Sequence, residues 1–166
     1  MSSSTISGIV RNDHITVNEL YKNYIMSQGD IKEQERLSIQ FQQELTKHST
    51  AEETVLYPAF EQYLGPEGKQ IADQGRNEHE TIKKLLHSLG TTPVSNPQHR
   101  IIFSELMTNL NEHIRSEEKN DLSKFESAIT ADISASLAQA FGQAKLSVVV
   151  KYVILSFLFY LFIVFM

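Results

Sequence analysis

HSTAEETVLYPAF, residues 48–60, decides the reading of this chain, because its outline returns as HIRSEEKNDLSKF at residues 113–125. Each copy begins with a histidine, places a glutamate pair four and five residues later, and then turns apolar and aromatic. Residues four apart lie on the same side of an α-helix, so His48 with Glu52, and His113 with Glu117, project together from their helices.

Outward from these two stretches the apolar residues recur every three or four positions, the period of amphipathic helices. A first helix is expected over about residues 5–27, with Ile6, Val10, Val17, Tyr21 and Tyr24 on one stripe, closed by Gly29. A second opens at Asp30, with Glu33 three residues later as in a capping box, and runs to about Leu64, where GPEG stops it. Its stripe carries Leu37, Phe41, Leu45, Val55 and Ala59, and Pro58 is expected to kink it just past Glu52. The third covers about residues 67–89, with Ile71, Gly75, Ile82, Leu86 and Leu89 inward and Gly90 as its cap. Asn96 and Pro97 open a fourth helix to about Ile129 as N-cap and first-turn proline. Four long helices with short connections predict an all-α fold, an up-down-up-down antiparallel four-helix bundle, plus a C-terminal hydrophobic helix.

Every stripe is interrupted by a histidine: His14, His48, His79 and His113. Two are interrupted again by Glu52 and Glu117. Unpartnered polar groups in a core cost about 1–3 kcal/mol each, and charged ones more, so these side chains need one another or an ion. Counting from the turns, His14 lies about 15 residues before Gly29 and His48 about 19 after it. Glu52 and His79 each lie about 13 residues from the turn near Pro66, so the ligands reach one level within roughly one or two turns. Imidazole and carboxylate without sulfur suit iron, with manganese or zinc as chemically compatible alternatives, and this many ligands suit two ions rather than one tetrahedral zinc. No Glu-x-x-His or His-Glu-x-x-His occurs, which argues against ferritin-like di-iron bundles and zinc proteases.

The chain resembles the hemerythrin-like proteins of the HHE cation-binding type. The residues that carry the resemblance are DH at 13–14, HSTAEETVLYP at 48–58, NEHETIKKLL at 77–86 and HIRSEE at 113–118, within about residues 5–128. The resemblance implies a bundle around two non-haem iron ions, with His14, His48, Glu52, His79, His113 and Glu117 as ligands. Metals with an open position exchange small ligands, so the expected function is to bind or sense a diatomic such as O2 or NO, or iron itself. Oxygen carriers of the family have a second histidine four residues after the one in the third helix, where this chain has Lys83, which argues against bulk oxygen transport. Carriers place an aspartate five residues after the last histidine; Glu118 holds that slot, and the four-residue spacing favours Glu117. The second ion is then expected to be looser, or to draw on Glu53, Glu80 or Glu118. His87 is read as facing a helix dipole and His99 as solvated.

The rest of the sequence bounds the function. The 166 residues carry a net charge of −5 with no basic stripe, which argues against a nucleic-acid partner. With no cysteine there are no disulfides, thiolate metal sites or thiol nucleophiles. No nucleophile with its base, nucleotide loop or substrate pocket is legible, so any enzymatic turnover is expected to be metal-dependent redox chemistry. The N-terminal stretch lacks a secretory pattern, which predicts a cytoplasmic bundle over residues 1–129. Residues 130–145 read as a connecting helix or linker. Residues 146–166 carry one charge, Lys151, and would reach about 31 Å as a helix, which predicts a transmembrane anchor at the C-terminus, with a fifth helix on the bundle or translated non-coding sequence as the alternatives. A membrane-tethered adaptor bundle holding zinc or no metal is the competing functional expectation.

Overall fold

A computed structural model describes the backbone of residues 5–164 and the side chains of residues 5–148. Helix α1 (Ile6–Met26) starts where the Thr5 side chain accepts from the Gly8 N–H. The chain reverses at Gly29, whose φ of 100° favours glycine, and Asp30 caps α2 (Ile31–Ala51) by accepting from the Glu33 N–H. A π turn (Glu52–Leu56) joins α2 to α3 (Tyr57–Thr91). Helix α3 is broken at Gly65, with φ 60° and ψ −135°, so that its two arms form separate rods of the bundle. Helix α4 (Pro97–Ser116) passes through a second π turn (Glu117–Asp121) into α5 (Leu122–Ala128), and α6 (Ala131–Val164) follows. The Asn96 side chain accepts from the Gln98 N–H at the head of α4. Asn96→Ala is expected to cost about 1 kcal/mol, lowering the melting temperature by roughly 2–4 °C in a thermal scan.

The interior has two apolar layers. One is built from Val17, Tyr24, Phe41, Leu45, Ile82, Phe103 and Leu110 among others, the second from Ile6, Val10, Leu56, Tyr57, Phe60, Leu122 and Phe125. Each fully buried aliphatic or aromatic side chain contributes on the order of 1.5–3 kcal/mol, so these layers hold the rods in register. On each rod the inward histidine falls between residues of the two layers, so the polar groups form a slab with oil above and below.

The π turns correct the expected stripe. In both, a backbone bond spans five residues: the Tyr57 N–H donates to the Glu52 carbonyl and the Leu122 N–H to the Glu117 carbonyl. Inward phase therefore moves on by one residue. Leu56, Tyr57 and Phe60 are fully buried beyond Glu52, while Val55 is only half-buried. Pro58 sits just past the first π turn, but the second forms without a proline, so proline is not what makes it.

His99, expected in solvent, is buried, with Tyr24 Oη 3.0 Å from its Nδ1 and Ser38 Oγ 3.2 Å from its Nε2. It lies four residues before Phe103 and so shares the inward stripe of α4; burial pushes its pKa down. His87 is exposed. Residues 131–148, the start of the last helix, lie against α1 and α2 with Ser134, Ala138 and Phe141 buried. Among the described residues no helix is long and apolar enough to cross a membrane. The side chains of 149–166, including Lys151, lie outside the described residues.

Candidate metal centre

The structure brings His14, His48, Glu52, His79, His113 and Glu117 together in the polar slab, all buried. One trio is His14, His48 and Glu52, and another is Glu52, His79 and His113; within each, one ligand atom from every residue lies within 4.8 Å of the others. Glu52 belongs to both. Its Oε1 is 3.0 Å from His48 Nε2 and its Oε2 is 3.1 Å from His79 Nε2, so the carboxylate spans the two halves. Glu117 Oε2 lies 3.4 Å from His14 Nε2.

These atoms are close but poorly aligned for hydrogen bonding. His14 Nε2, His48 Nε2, His113 Nε2 and both carboxylate oxygens of Glu52 and Glu117 are buried without a hydrogen-bond partner. Orphaned buried polar atoms are rare in native folds because each costs about 1–3 kcal/mol. So many converging on one small region is the signature of a site shaped for cations.

The second nitrogen of every histidine is spoken for. Glu118 Oε1 lies 2.7 Å from His14 Nδ1, Asp13 Oδ2 3.4 Å from His48 Nδ1, Glu53 Oε1 2.9 Å from His79 Nδ1, and Glu78 Oε2 2.7 Å from His113 Nδ1. The four contacts run round the bundle in one sense: each rod sends a histidine inward and a carboxylate to the histidine of the next rod. A carboxylate at Nδ1 holds the proton there, orients the ring, and leaves Nε2 as the coordinating nitrogen. This is the purpose of the doubled glutamates. The first of each pair points inward, and the second reaches sideways, which the wider π turn permits.

Glu117 and Glu118 are thereby separated, since Glu118 touches the outer nitrogen of His14 and is one-third exposed. Glu53 likewise serves His79 from outside the slab, and Glu80 is exposed on Lys83. Lys83 points away from the slab to Glu53 at 2.9 Å. None of the three additional carboxylates considered from the sequence enters the slab.

Electrostatics of the metal-free slab follow from this crowding. Burial opposes a charge on His48, but Glu52 and Asp13 outweigh it and raise the ring to about 10. Burial likewise opposes charge on His79, and the adjacent Glu52 and Glu53 carboxylates outweigh it and raise the ring to about 9. For Glu52 burial opposes ionisation, and the two rings hold the carboxyl well below the usual range. Protons thus stand in for cations on these nitrogens. The Tyr57 hydroxyl lies 3.1 Å from His79 Nε2, and burial with the nearby Glu52 and Glu117 carboxylates keeps the phenol well above its ordinary pKa. Gly75 makes room for it, since a Cβ there would come within 2.7 Å of the Tyr57 ring.

The hemerythrin HHE cation-binding domain model matches residues 5–125. The chain belongs to the hemerythrin HHE cation-binding family. A hemerythrin-like protein of Schizosaccharomyces pombe is 35% identical over 140 residues, covering 84% of this chain and 68% of that protein. A Nostoc protein named DNA nickase is 28% identical over 140 residues, covering 84% of this chain but only 39% of that one. In fold, a crystal structure of a hemerythrin HHE cation-binding domain-containing protein from Mycobacterium kansasii superposes with a TM-score of 0.73 at 20% identity, covering 89% of this chain and 91% of that one. All four histidines of the slab, with Glu52 and Glu117, lie within the span that the family model matches.

Proposed function

We propose that this HHE chain holds two non-haem iron ions, ligated by His14, His48, Glu52, His79, His113 and Glu117, and binds or senses a small ligand such as O2 or NO. The observation that carries the reading is the pair of buried trios sharing Glu52, in which the Glu52 oxygens and the Nε2 atoms of His14, His48 and His113 have no hydrogen-bond partner. Nitrogen and oxygen donors without sulfur fit iron, and an anionic bridge offsets the repulsion between two cations. When bound, iron supplies one-electron chemistry and open coordination positions for a small ligand. Lys83, turned to Glu53 and Glu80, removes the fifth histidine, which favours sensing over bulk oxygen carriage.

The residues prepare the site for such a ligand. A cavity of about 10 Å³, lined by Tyr57, Gln74, Glu78, His113, Glu117 and Asp121 among others, is on the scale of one water and reaches the second trio. Asp121 at this cavity is pushed up to about 6 by burial and by Glu117. The Tyr57 hydroxyl lines this cavity 3.1 Å from His79 Nε2 and is placed to donate to a ligand entering there. Tyr57→Phe is therefore expected to leave iron content unchanged and to weaken azide binding about 3–10-fold, the worth of one hydrogen bond, in an optical titration of the iron-loaded protein.

Metal analysis of anaerobically loaded protein, with its optical spectrum after exposure to air, tests the reading. Two irons per chain with a charge-transfer band support it, and less than one iron with no band defeats it. The apolar stretch 146–166 supports a further proposal, that the bundle is tethered to a membrane by its C-terminus with the slab on the cytoplasmic side. Carbonate extraction of the full chain decides that point: recovery in the pellet is expected, and complete recovery in the supernatant refutes it.

A further inference from the structure

Helix α6 begins after the last residue of the HHE match, yet it reaches the metal-binding level. The Phe141 ring is fully buried, with its centroid 6.2 Å from that of His48, and so closes this side of the slab against water. One turn further, Lys145 Nζ donates to Asp13 Oδ1 at 2.5 Å, while the other oxygen of Asp13 is the partner of His48 Nδ1. The ion pair is mostly shielded, the Lys145 and Asp13 side chains being 19% and 13% exposed. The start of α6 is fixed as well: the Ile6 N–H donates to Ser134 Oγ at 3.0 Å, and Ser134 Oγ donates to Glu126 Oε1 at 3.0 Å. Phe141 and Lys145 therefore meet α1 and α2 at a set height.

The four carboxylates around the histidines are not backed alike. Glu53, behind His79, is held by Lys83 from within the bundle. Glu78, behind His113, accepts from Gln74 at 2.8 Å. Among the described residues Asp13 alone of the four takes a lysine from α6, and its contact with His48, at 3.4 Å, is the longest of the four. A long contact to the ring leaves the orientation of the carboxylate to its other partner. Without Lys145 the aspartate is free to turn toward solvent, and His48 loses the group that fixes its ring.

We propose that Lys145 is a positioning residue for the metal centre, acting through Asp13 on His48, and that α6 with Phe141 forms a fifth wall of the His14–His48–Glu52 half. The inference rests on the proposed two-ion reading. Outer partners of metal-bound histidines change metal affinity by about 10–100-fold when removed. The effect belongs to one half of the site, because among the described residues the outer partners of His79 and His113, Glu53 and Glu78, make their hydrogen bonds and ion pairs with residues outside α6.

The test is a cobalt(II) titration of the full-length protein against a competing chelator, with the visible spectrum of the bound cobalt recorded alongside. Lys145→Met, which keeps the length of the stem and removes the charge, is expected to weaken one of two cobalt ions about 10-fold, shift its visible bands, and leave the other ion unchanged. Lys145→Arg is expected to restore affinity and spectrum, and Lys69→Met, which removes an exposed pair with Asp73, to change neither. Unchanged affinities in Lys145→Met overturn the inference. Equal weakening of both ions with a lowered melting temperature of the metal-free protein also overturns it, in favour of a merely structural helix. A wild-type chain that takes up no cobalt or iron instead overturns the proposed function on which it stands.

Discussion

Glu52→Ala is expected to empty both halves of the centre at once, with affinity for each ion falling more than about 100-fold, beyond the range seen for outer-partner losses. The carboxylate is fully buried, its two oxygens face His48 and His79 at 3.0 and 3.1 Å, and both atoms lack hydrogen-bond partners. No other residue belongs to both trios. Its removal also takes away the negative charge that two cations would share. Glu53→Gln is the control, because Glu53 touches only the outer nitrogen of His79 and Lys83. About a 10-fold loss confined to one ion is expected there. Iron per chain after anaerobic loading and desalting reads both variants. A Glu52→Ala protein that keeps one tightly bound iron contradicts the shared role.

Removing metal is expected to lower the melting temperature by roughly 8–16 °C for each ion that had been present about 1,000-fold above its dissociation constant, a stabilisation of about 4 kcal/mol per ion. The gap is expected to widen as pH rises from 6 to 9. In the metal-free protein His48 and His79 are raised from 6.5 to about 10 and about 9. A raised histidine contributes stability that is complete below its unfolded pKa and fades as pH climbs through the folded one. Glu52 is depressed from 4.5, so its contribution is present above that value and is lost as pH falls. The metal-free chain is therefore most stable between about pH 4.5 and 6.5 and weakens toward pH 9–10. Coordination needs the same nitrogens without protons, so metal affinity moves the other way. Thermal scans of chelated and loaded protein at the two pH values check this, and a gap that narrows at pH 9 contradicts it.

Much of this arrangement is legible in one dimension. The histidines fall on the inward stripes, the turns fall at Gly29 and Gly65, and Asp30 and Asn96 cap their helices as their chemistry requires. The π turns are written there too, though less plainly. In both repeats buried apolar or aromatic residues stand five and eight positions after the first glutamate, Tyr57 and Phe60 in one and Leu122 and Phe125 in the other. A strict α-helical count from Glu117 would have put Asp121 and Lys124 inward, a conflict that one extra residue per turn removes. The use of Glu53, Glu118, Asp13 and Glu78 is not legible. Each serves a histidine on another rod, up to 104 residues away, and which rods are neighbours is a property of the packed bundle. His99 reads as solvated because it lies near a helix start, but its four-residue spacing to Phe103 puts it inside. Phe141 and Lys145 lie in a stretch that reads as a connector, since a short amphipathic segment does not reveal which face of a finished bundle it will cover.

An anomalous difference map at the iron edge, from crystals of the anaerobically loaded protein, bears most directly on the two-ion centre. Two peaks roughly 3.5–4 Å apart, one among His14, His48 and Glu52 and the other among Glu52, His79 and His113, are expected. A single peak, or iron bound only at surface carboxylates away from the slab, would contradict it.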